Sequence, residues 1–118
     1  MQSIREQLEA YGIDYEGTMN RFMGNESLYV RILKKLEADK NAERLQKSVA
    51  AQDWEEAFTA AHTLKGVAAN MGLTPLLEAV NTIVEPLRRK EIRSDYPQLS
   101  AAVMAQHKRI LELVKELD

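Results

Sequence analysis

Apolar residues recur at spacings of three and four along most of the chain, and no stretch alternates in the two-residue rhythm of a strand, so the sequence predicts helices throughout. Ser3 and Glu6 make a capping box ahead of Ile4 and Leu8, with Gly12 as the stop, which predicts a first helix over Ile4–Tyr11. Asp14 caps a second carrying Tyr15, Met19, Phe22 and Met23; Gly17 weakens it by about 1 kcal/mol relative to alanine, and Gly24 is placed to end it. Asn25 caps a third segment in which Leu28, Ile32, Leu33 and Leu36 share a face. Leu45, Val49 and Ala50 extend that pattern past a polar break at Asp39-Lys40-Asn41, giving one long bent helix or two joined end to end.

The next helix is the firmest. Asp53 and Glu56 form a second capping box, Trp54 lies in the first turn, and the pattern runs to Met71 with Gly72 as its stop. One face collects Ala57, Ala60, Ala61, Leu64, Val67, Ala68 and Met71, a stripe fit to pack against other helices. Thr74 as N-cap and Pro75 at the first helical position open a further helix with Leu76, Leu77, Val80, Ile83, Val84 and Leu87. Pro86 predicts a kink or an end near Val84, with Arg88, Arg89 and Lys90 forming a solvated finish. Ser94 or Asp95 caps the last helix, Pro97 falls in its first turn, and Leu99, Val103, Ile110, Leu113, Val114 and Leu117 mark its buried side. The expected architecture is all-α: an antiparallel four-helix bundle with additional short N-terminal helices, one domain over residues 1–118.

Composition narrows the chemistry. Cysteine is absent, which removes disulfides, thiolate catalysis and cysteine-ligated zinc and makes the cytoplasm the natural compartment. The formal net charge is −2 with both signs interspersed, so neither nucleic acid nor an anionic membrane is an expected partner. No run reaches the roughly 20 apolar residues needed to span a bilayer. The five glycines form no phosphate-cradling loop, so no ATP site is expected, and the two histidines lack metal-ligand spacing. No sustained heptad seam demands a second copy, which leaves a monomer as the default.

Candidate chemistry gathers on the face opposite the apolar stripe, where His62 is flanked at helical spacing by Lys65, Gly66, Ala69 and Asn70. That face offers a base, a cation and little bulk. A mid-helix glycine costs about 1 kcal/mol, so Gly66 requires either a packing or a clearance reason, and its place beside His62 favours clearance. Phe58, one turn earlier, belongs either to an apolar docking rim or to the core; Asn70 either orients a docking face or simply completes the helix. His107, beside Lys108 and Arg109, carries no comparable signal. The Tyr15, Met19, Phe22 and Met23 cluster reads as core, with part of it available as a docking patch.

The run His62-Thr63-Leu64-Lys65-Gly66, followed by Asn70 and Gly72, closely resembles the signature of the histidine-containing phosphotransfer (HPt) family. Asp53-Trp54, Ala61 before the histidine, and Gly24-Asn25-Glu26-Ser27-Leu28-Tyr29 are similar to the same family. The resemblance implies a bundle whose exposed histidine accepts a phosphoryl group from an aspartyl phosphate on a receiver domain and passes it to another receiver. It makes His62 the phosphorylated residue, Lys65 the contact to the phosphoryl oxygens and Gly66 the clearance for the partner's acidic pocket. Partners would be response-regulator receiver domains or a hybrid histidine kinase, and any Mg²⁺ would sit on the receiver; the chain itself needs no cofactor.

The chemistry is sound apart from the resemblance. Free imidazole titrates near pH 6.5, so its neutral form is a ready nucleophile at pH 7 without a separate base. Phosphoryl transfer relies mainly on positioning and charge neutralisation, much of which a partner can supply. The rival from another class is a helical adapter that docks receiver domains without transferring phosphate.

Overall fold

A computed structural model describes residues 2–117, and every regular element among them is helical. The order is α1 Ile4–Tyr11, α2 Tyr15–Arg21, α3 Glu26–Leu33, a 3₁₀ turn at Lys34–Ala38, α4 Asn41–Ala50, α5 Trp54–Met71, α6 Thr74–Arg88 and α7 Tyr96–Glu116. The polar break therefore separates two helices, and Asp39 accepts from the Asn41 backbone N–H at 2.8 Å as the chain restarts. The long helices close a ring in which α4 and α6 each pack on both α5 and α7. Short connections reverse the chain at 51–53, 72–73 and 89–95, making sequence neighbours antiparallel. The molecule measures 45 × 23 × 20 Å. Since the 21 residues of α7 span only about 31 Å, the extra length comes from α1–α3 at the end where α5 gives way to α6.

Several local signals act differently from expectation. α2 ends at Arg21, because Met23 and Gly24 both turn left-handed, at φ 54° and 74°. Gly24 then donates to the Met19 carbonyl at 2.8 Å, so it closes a turn beyond the helix, and Met23 is thrown out into solvent. The capping box of α5 is half made: Asp53 accepts from the Glu56 N–H, but Arg44 of α4 draws the Glu56 carboxylate away. Thr74 is the first residue of α6, not its cap. The buried Leu73 occupies the cap because its N–H bonds to Ala68 while its carbonyl already accepts from Leu77. Asp95 is the N-cap of α7, yet its carboxylate pairs with Arg93 in place of a helix N–H.

Pro86 does not end α6, which continues to Arg88. The proline forfeits one backbone bond in the last turn, while Ile83, Val84, Pro86 and Leu87 are all buried there and hold the turn against the bundle. On α7 the buried seam is Tyr96, Ser100, Val103, His107, Ile110, Val114 and Leu117, spaced alternately by four and three. Leu99 and Leu113 lie beside it, only half-buried.

That seam buries His107, whose Nε2 meets no hydrogen-bond partner among the described residues. Burial lowers its pKa below the ordinary imidazole value, with Asp39 opposing in part. In the unfolded chain the same ring titrates near 6.5. As pH falls through that value the unfolded state binds a proton that the native state resists, so stability declines; well above it the effect vanishes. Urea unfolding between pH 7.5 and 5.5 is expected to cost the wild type more stability than His107→Leu, by no more than about 1.4 kcal/mol. Equal losses in the two proteins would mean that His107 is not held neutral by the fold.

Candidate functional site

The helix that carries His62 is fixed at both ends. At its start Asp53 accepts from the Glu56 N–H at 3.2 Å. At its finish Gly72 takes a left-handed conformation, φ 70°, and the chain folds back so that the Leu73 N–H reaches Ala68 at 2.9 Å. Gly72 donates to Ala69 at 3.3 Å, and the N-terminal helices supply further donors. Arg21 donates to Ala69 at 3.3 Å and to Asn70 at 3.2 Å, and the buried Tyr29 hydroxyl donates to Met71 at 2.7 Å. Ala57, Ala60, Ala61, Leu64, Ala68 and Met71 face inward, and the remaining stripe residue, Val67, is half-buried.

His62 accordingly points to solvent. Its ring lies nearly parallel to that of Phe58, with centroids 5.5 Å apart and planes inclined by 17°. Neither ring nitrogen is hydrogen-bonded to another described residue. Phe58 is half-buried, and the Arg88 guanidinium lies over its ring, 5.3 Å from the centroid. Lys65, one turn from His62, places its Nζ 3.4 Å from Glu85 Oε1 on α6, and Arg88 Nε lies 3.5 Å from the second oxygen of the same carboxylate. A chain of neighbours thus runs from His62 through Phe58, Arg88 and Glu85 to Lys65.

The structure stacks Phe58 on His62, turns Lys65 toward Glu85 and leaves Gly66 bare: a Cβ built at Gly66 would meet nothing within 4 Å. Packing within the chain is therefore not the reason for this glycine. Ala69 and Asn70 continue the exposed side. Asn70, eight residues on, lies about 12 Å along the axis from His62, so it belongs to the periphery of the site. Glu85 and Arg88 were not legible as neighbours of His62, since they come from another helix. Arg88 reaches Phe58 because α6 continues through Pro86, so it is more than a solvated helix end.

On the N-terminal side of His62, a cleft of about 630 Å³ is lined by Trp54, Phe58, Leu87, Arg88, Ile92 and Tyr96 among others. Its lip is the 89–95 connection, held by the Arg89–Glu91 and Arg93–Asp95 ion pairs and by Tyr96 donating to the Glu91 carbonyl at 2.8 Å. Ile92 on that lip is fully exposed. Among the described residues no cluster of three or more metal-ligating side chains occurs, and no helix is long and apolar enough to cross a membrane.

Fold and site together define a helical bundle that displays a single histidine on its flank, with a lysine and an uncovered glycine beside it. Residues 34–118 match the Hpt domain, and the chain belongs to that family. α1, α2 and α3 precede the matched region. Comparisons with curated proteins and with solved structures give no significant match.

Two glycines on the same helix separate clearance from structure. Gly66→Ala is expected to raise stability by about 0.5–1 kcal/mol, the helix-propensity gain, because nothing obstructs the methyl group. Gly72→Ala is expected to lower it by about 1–2 kcal/mol, since the φ is left-handed and the new Cβ would strike Thr18 Oγ1. Urea unfolding of both variants checks the pair; a destabilising Gly66→Ala would return that residue to a packing role.

Proposed function

We propose that the chain is a phosphocarrier of a two-component phosphorelay, taking a phosphoryl group onto His62 from the phosphoaspartate of one receiver domain and giving it to another. The observation that carries this reading is the solvent-facing imidazole, with both nitrogens open, on a helix of the Hpt family. A ring nitrogen attacks phosphorus, an N–P bond forms, and the O–P bond to the aspartyl carboxylate breaks with its electron pair leaving on the carboxylate. The reverse sequence delivers the group onward. Lys65 supplies a cation to the phosphoryl oxygens, Gly66 and Ala69 admit the partner's acidic pocket, Asn70 borders the docking face, and Phe58 fixes the plane of the imidazole.

The remaining charge neutralisation belongs to the receiver, including its Mg²⁺. The partners are response-regulator receivers or a hybrid histidine kinase, the chain acts as a monomer in the cytoplasm, and it uses no ATP itself. A receiver-docking adapter remains the competing reading, and one experiment divides the two.

Labelled phosphorylated receivers are mixed with the wild type, His62→Gln and Gly66→Leu. Acid-labile, alkali-stable label is expected on the wild type and none on His62→Gln, which still binds the receiver. Gly66→Leu is expected to stay folded and to slow transfer by about tenfold to a hundredfold, because bulk there displaces the reacting groups by an ångström or more. Receiver binding by both wild type and His62→Gln with no transfer to either would establish the adapter.

A further inference from the structure

We propose that Glu85 is a positioning residue: it holds Lys65 as a resting counter-ion while His62 is bare and yields it when the phosphoryl group arrives. This rests on the reading of His62 as the phosphoryl acceptor. Glu85 stands between two cations, Lys65 at 3.4 Å and Arg88 at 3.5 Å, one on each carboxylate oxygen. Both separations are long for charge-assisted hydrogen bonds, and all three side chains are between 34% and 45% exposed. Pairs of this kind are weakly held and exchange at little cost.

A phosphoryl group on His62 would carry close to two negative charges against one on Glu85. Lys65, at the i+3 position, has Cβ about 5–6 Å from that of His62 and a stem long enough to reach the group. At similar distance the more highly charged partner prevails. Arg88 is what makes the exchange inexpensive: it stays on Glu85 after Lys65 leaves, so the carboxylate is not stranded. Glu85 thus competes with the phosphoryl group for Lys65, and its removal leaves the lysine wholly available. Phosphoryl loss passes through a loose transition state in which charge moves from the peripheral oxygens toward the leaving nitrogen. A cation held on those oxygens therefore lengthens the life of the phosphohistidine.

Phosphoramidate serves as the donor because it needs no receiver: its N–P bond breaks, ammonia departs, and an N–P bond to His62 forms. After removal of the donor, the decay of phosphohistidine is followed by ³¹P NMR in the wild type, Glu85→Gln, Lys65→Met and the double variant. Glu85→Gln is expected to lengthen the lifetime by about threefold to tenfold. The same change in the Lys65→Met background is expected to alter it less than about twofold, because Glu85 acts through the lysine. Equal lifetimes in wild type and Glu85→Gln overturn the proposal, and so does an equal lengthening in the Lys65→Met background, which would mark direct repulsion by the carboxylate. Absence of phosphohistidine on the wild type would instead overturn the carrier reading itself.

Discussion

Four carbonyl oxygens at the end of α5 hold the molecule in register. A helix leaves its last carbonyls without intrahelical partners, and a buried helix end must find them elsewhere. Here Ala68 is met by the turn at Leu73, Ala69 by both Gly72 and Arg21, Asn70 by Arg21, and Met71 by Tyr29. Arg21 and Tyr29 come from α2 and α3, outside the region that matches the family. The N-terminal helices are therefore more than an addition to the bundle. They complete the helix on which the histidine rides, and Gly72 is needed because a larger residue would collide with Thr18 at the junction.

With α5 fixed at its ends, its two sides do opposite work. The inner side is built largely of alanine, which brings neighbouring helices close and leaves Leu64 and Met71 as the larger apolar contributors. The outer side is nearly bare past His62, and the stability forgone at Gly66 is not recovered by packing among the described residues, since none approaches it within 4 Å. A position that weakens a helix without improving its packing is where local physics departs from foldability, and such departures are characteristic of functional surfaces.

Helix existence and the outward placement of His62 were legible because both rest on local periodicity. The boundaries of α1 and α5 were legible for the same reason, each being bracketed by a capping side chain and a left-handed glycine. What could not be read came from partners distant in sequence. Arg44 takes Glu56 out of its capping box, and burial of Val84 and Leu87 carries α6 through Pro86. The seam of α7 selects Ser100 and His107 over the more apolar Leu99 and Leu113 because register, set by Tyr96, Val103 and Ile110, outranks the hydropathy of any one residue. Glu85 was invisible for the simplest reason: nothing in the His62 motif announces a carboxylate on the next helix.

The surroundings of His62 are unequal along the helix axis, and this restricts how another molecule can reach it. Toward the N-terminus stand Phe58, the Arg88 guanidinium and the cleft bounded by the ion-paired 89–95 lip. Toward the C-terminus Gly66 exposes backbone and Ala69 adds a single methyl group. A rigid body brought toward the imidazole meets bulk and bound charge on one side and an open surface on the other. The Phe58 ring stacks on the imidazole, while the Lys65–Glu85 pair sets a cation beside the open approach. The ring, its stacking partner, its clearance and the lysine thus all lie on α5, while α6 supplies the Glu85 carboxylate and the Arg88 guanidinium that flank them. His62 itself lies exposed on the flank of the bundle, so that division presents the imidazole in a defined attitude with one side of it open.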